Sequence, residues 1–132
     1  MNKELFNLCK QVYEKTEWKQ QHDWYMTDTV SKPEATYISH EGMTKNTPDW
    51  YTEHCPAYDS DYLLGKLPKF SPVAKGCYLT VMEKQTPKDK REDFYWTAGY
   101  FCGDGWSFTG QSDTPLKALL RLTLALSEAG EL

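Results

Sequence analysis

A chain of 132 residues with 39% hydrophobic and 14% aromatic content is long enough to bury one sizeable core and too apolar for an intrinsically disordered chain. Its 15 Lys and Arg stand against 19 Asp and Glu, a net charge of −4, so no overall positive field draws in a phosphate backbone and nucleic acid is disfavoured as a partner. The N-terminus lacks the apolar run of a signal peptide, and no stretch approaches the roughly 18 apolar residues of a membrane span, so the expected location is cytoplasmic, without a membrane partner.

Between Asn2 and Thr16 the apolar residues Leu5, Leu8, Cys9, Val12 and Tyr13 recur at i, i+3, i+4, i+7 and i+8. That spacing predicts a helix with one buried stripe, capped by Asn2. The aromatic and β-branched residues of Trp18 to Val30 and of Ala35 to Ser39 are separated by Ser31-Lys32-Pro33 and predict two strands joined by a turn. Glu41 to Ala57 then carries Gly42, Pro48 and Pro56 with neither period, which predicts a long irregular loop of the kind that often holds function.

Asp59-Ser60-Asp61 before Tyr62, Leu63, Leu64 and Leu67 predicts a short capped helix that Pro68 stops. Cys77 to Met82 reads as a strand, and the polar run Glu83 to Asp93 as its connector to the next. Phe94 to Cys102 and Trp106 to Thr109 form a hairpin about Gly103-Asp104-Gly105, because Asp-Gly supplies the positive φ of a tight turn. Ser112-Asp113-Thr114-Pro115 opens a last helix that Ala129-Gly130 closes. Leu116, Leu119, Leu120, Leu122, Leu124 and Leu126 make that helix apolar over most of its circumference, so it requires cover on more than one side. The sheet together with the N-terminal helix, or a second copy in a homodimer, would supply it.

The whole therefore reads as a single α+β domain over residues 1–132, with a mostly antiparallel sheet of four or five strands packed against N-terminal and C-terminal helices. Cys9, Cys55, Cys77 and Cys102 form no C-x-x-C pair and have no spaced histidine partner, so neither zinc nor a disulfide framework is signalled. Four reduced, mostly buried thiols are expected.

The segment CPAYDSDYLLGKLP, followed by aromatic strands and then GQSDTPLKALLRLTLAL, resembles small phage-encoded proteins of the "phage ABA sandwich" type. In those a P-x-Y-S/T-x-D segment precedes a helix, and Asp59 stands here where that pattern has a hydroxyl residue. The resemblance implies a phage or prophage accessory protein in a bacterial host cytoplasm and carries no catalytic residues. Phe94 to Ser127 is also similar to the strand-to-helix half of HicB-type antitoxins. The helix, meander, helix order looks like that of double-stranded RNA-binding domains, but Ser112, Asp113 and Thr114 stand where those place phosphate-gripping lysines.

For chemistry, the densest group of reactive side chains is Glu53, His54, Cys55, Asp59 and Asp61. Adjacent residues point apart, so His54 and Cys55 do not form a nucleophile and base with each other. Without a glycine phosphate loop, metal-ligand spacing or a nucleophile signature, no enzyme, cofactor or metal is expected. Trp50 and Tyr51 in the loop are the type of side chain that dominates interfaces. With Glu53, His54, Tyr58 and Asp61 they form the predicted binding surface for a protein partner or small ligand. An RNA-binding regulator, or a small enzyme using His54 and Cys55, is the alternative.

Overall fold

A computed structural model describes residues 3–18, 23–28, 32–39, 53–85, 94–103 and 105–132. It is α+β, as expected, and divides into two compact units, 1–58 and 59–132. Among the described residues the strands form two three-stranded antiparallel sheets, rather than one sheet of four or five.

The first unit begins with α1 (Lys3–Thr16). Three of its five periodic positions are buried, Leu8 at 5% exposure and Cys9 and Val12 fully, while Leu5 and Tyr13 are half-buried and Phe6 joins the stripe. Glu17 ends the helix in the left-handed region (φ 57), its N–H donating to Tyr13 O. The sheet has the order β2-β1-β3, with β1 at Asp23–Asp28, β2 at Lys32–Ser39 and β3 at Glu53–Pro56. The first two strands match the sequence reading. The third does not, since the sequence puts Glu53 to Pro56 in an irregular loop. Pro56 has no amide proton to donate and stands at the end of an edge strand, where proline is tolerated. The helix α1 packs on β3 and β2.

The second unit opens with the short helix α2 (Ser60–Lys66), whose N-cap Asp59 accepts from Tyr62 N, as the sequence indicates. Its sheet is a meander of β4 (Tyr78–Gln85), β5 (Phe94–Phe101) and β6 (Trp106–Ser112). The last helix, α3 (Pro115–Glu128), starts at the cap Thr114, which accepts from Lys117 N. Leu119, Leu120, Leu122 and Leu126 are at most 1% exposed. Within this unit the helix lies on all three strands, closest to β6, and α2 covers another side. The leucine-rich circumference thus finds two covers in one unit, and α2 is one that the sequence reading did not name. Gly110 lets β6 and α3 meet closely: a Cβ there would stand 2.3 Å from Ala118 O and from Leu122 N. Tyr100, fully buried, donates its hydroxyl to Pro68 O at 2.7 Å and ties the chain after α2 to the sheet.

The cysteines depart from expectation. Cys77 and Cys102 form a disulfide, while Cys9 and Cys55 are buried thiols. The reason is register. Tyr78 pairs with Phe101, so the residues one step beyond the ladder face each other, and their Cα atoms are 4.5 Å apart, the separation of a non-hydrogen-bonded antiparallel pair. Sequence spacing alone carries no such register.

Candidate functional site

Trp50 and Tyr51 lie outside the described residues. Glu53 and His54 sit on β3, in register with Thr27 and Met26 of β1. Tyr58 is 1% exposed and its hydroxyl donates to Trp18 O, so it serves as a buried tie within the first unit. Cys55 is fully buried, with its Sγ 3.8 Å from Phe6 O. Burial pushes the Cys9 thiol up from 9.0 to about 12, against a smaller lowering by a hydrogen bond to the Tyr58 backbone. Neither thiol is presented to a substrate. Asp61 is exposed in the first turn of α2, in the second unit. Among the described residues no group of three His, Cys, Asp or Glu side chains is placed to hold a metal ion, and no helix is long and apolar enough to cross a membrane.

A different set of residues does converge. Phe70 forms a bridge with Tyr78, Tyr78 pairs with Phe101, and Phe101 pairs with Trp106. These four aromatics make a row across the end of the second sheet, spanning about 14 Å at the usual interstrand spacing. The Phe70 and Tyr78 rings are 5.3 Å apart and those of Phe101 and Trp106 5.0 Å, both pairs tilted, a favourable arrangement for the ring quadrupoles. Side chains alternate along a strand. Ala98 and Tyr100 share the face of Gly110, which meets α3, and the row therefore occupies the opposite face. Phe70 is 58% and Tyr78 59% exposed.

The backbone beneath the row is irregular. The β5–β6 register shifts between Gly99 and Tyr100, leaving Phe108 as an extra residue at φ 52. A bulky residue in the left-handed region is strained, and such bulges re-aim side chains. Here Gly99 makes room: a Cβ on it would meet Phe108 O at 2.3 Å and Trp106 Cε3 at 3.1 Å. On the same face Thr97, paired with Met82 and Gln111, is 2% exposed. Its Oγ1 is buried and, among the described residues, has no hydrogen-bond partner.

The sequence locates the strands of this sheet but does not point to these four aromatics as a group. The available signal was the mirrored pair Cys77-Tyr78 and Phe101-Cys102, which an antiparallel register brings face to face. No protein-family model, curated protein or solved structure matches the chain.

Proposed function

We propose that the chain is a non-enzymatic binding protein that engages a partner protein through the row Phe70, Tyr78, Phe101 and Trp106. The observation that carries this reading is two large rings more than half exposed at one end of a sheet, where a folded domain normally buries them. Aromatic side chains of this kind anchor interfaces. A phage or prophage accessory role, as the sequence resemblance implies, is compatible with such a module. On this reading Trp50 and Tyr51, with Glu53 and His54, form a second contact region.

The test is a pull-down from bacterial lysate with wild type and with the double variant Phe70→Ser/Tyr78→Ser, read by mass spectrometry beside thermal melts. Loss of a captured protein by the variant, with a melting temperature within about 2 °C, supports the row as the binding face. Equal capture by both proteins refutes it.

One observation favours a second reading, an RNA-binding component. Lys66, Lys69 and Lys75, all exposed, lie in the segment that carries Phe70, and aromatics beside cations stack bases. Binding to single-stranded RNA that weakens steeply with salt would support this reading, and no binding at low salt dismisses it.

A further inference from the structure

We infer that the Cys77–Cys102 disulfide is a redox-controlled clasp for the aromatic row, closed when oxidised and opened by a dithiol reductant. The inference rests on reading the row as the binding face, and it concerns how that face is regulated.

The bond lies one step beyond the last rung of the ladder, next to Tyr78 and Phe101. Backbone bonds at and beside the two cysteines also hold the flanking segments. Cys77 O accepts from Ser71 N at 2.9 Å, and Leu79 N donates to Lys69 O at 2.9 Å, which together hang Phe70 on the outer edge of β4. Cys102 N donates to Gly105 O at 3.1 Å and so shapes the turn that delivers Trp106. All four rings of the row therefore attach within a few residues of one covalent bond.

The rest of the unit does not hang on that bond. Seven further register pairs, from Leu79↔Tyr100 to Gln85↔Phe94, continue the β4–β5 ladder, and α3 packs most closely on β6. Opening the bond removes a bolt from the end of the ladder, where fraying is least costly.

Cys77 is fully buried, whereas Cys102 is partly exposed, so a reductant thiolate attacks the Cys102 sulfur. The Sγ–Sγ bond breaks, Cys77 leaves as a thiolate that takes up a proton, and Cys102 is held in a mixed disulfide. The reductant's second thiol then displaces Cys102 as a thiol. Two electrons pass to the cysteine pair and the reductant leaves as its own disulfide.

The experiment uses the full chain with and without excess dithiothreitol, read by thiol titration in denaturant, far-ultraviolet circular dichroism and amide hydrogen exchange. Oxidised protein should titrate two thiols, from Cys9 and Cys55, and reduced protein four. On reduction the circular dichroism should persist. The amides of Ser71, Leu79 and Cys102 should then exchange at least about tenfold faster than those of Ala98 and Leu122. The double variant Cys77→Ser/Cys102→Ser should show that pattern without reductant. Four thiols in the untreated protein, clasp amides still as slow as that of Ala98 after reduction, or collapse of the whole spectrum would each overturn the clasp. None of these readouts involves a partner, so they fail or succeed independently of the pull-down.

Discussion

Replacing Gly110 with Ala tests the closest approach in the second unit. The added Cβ would lie 2.3 Å from Ala118 O and Leu122 N and 2.9 Å from Arg121 C. Ordinary contact begins near 3.4 Å, so the shortfall is about 1.1 Å, and all three obstacles are backbone atoms of one helix, which cannot turn aside as a flexible side chain can. Either α3 lifts from β6 or the strand bends away, and both loosen the packing of Leu119, Leu122 and Leu126. Overpacking costs about 1–3 kcal/mol where side chains can adjust, so Gly110→Ala should lie at the top of that range, about 3 kcal/mol. Gly65→Ala is the matched control. Gly65 lies inside α2 with nothing within 4 Å of its added Cβ, and Ala exceeds Gly in helix propensity by about 1 kcal/mol. The same chemical change should therefore have opposite signs at the two positions. Urea unfolding followed by tryptophan fluorescence and circular dichroism reads both, with an unchanged m-value as the check that only stability has moved. A Gly110→Ala protein within about 0.5 kcal/mol of wild type would show that strand and helix are not in contact there.

Three other outcomes are expected. The Lys117 side chain, 5% exposed, bonds Asp113 Oδ1 at 3.0 Å, and that bond holds the Asp113 carboxyl below its ordinary value of 3.8. A depressed folded pKa contributes stability above the unfolded pKa and loses it as pH falls through the folded one. Stability measured against pH should thus fall more steeply below about pH 4 for wild type than for Asp113→Asn, and salt should shrink the difference because Asp113 is largely exposed. Cys9, raised to about 12 by burial, stays protonated at pH 8, so iodoacetamide should label it only after denaturant is added; rapid native labelling would contradict its burial. Glu17→Gly should stabilise the first unit by about 1 kcal/mol in denaturant melts, because Glu17 occupies a left-handed φ of 57 at the end of α1 that Gly adopts without a Cβ clash. A loss of stability there would refute the cap geometry.

Both long helices were legible because their information is local. The five-residue stripe of α1, the Asp59 cap of α2 and the Thr114 cap of α3 depend on neighbours within a turn or two. The Gly103 to Gly105 hairpin was legible for the same reason, since Cys102 and Gly105 close it with a bond between near neighbours, although the positive φ of 48 falls on Gly103 and not on Gly105 of the Asp-Gly step the sequence pointed to. The strand β3 was hidden by Pro56, a residue that argues against a strand until the edge position of its partner ladder is known. The candidate surface was hidden more deeply. Phe70, Tyr78, Phe101 and Trp106 look like core residues one by one, and only their register sets them side by side.

By itself the sequence determined the helices and, β3 apart, the described strands, because a stripe, a cap or a tight turn is complete within a few consecutive residues. Tertiary structure decided how the strands divided between two sheets, which cysteines met, and which sheet face α3 would cover. Those outcomes depend on the pairing register between segments far apart in the chain, and a slip of one residue would send every side chain to the opposite face.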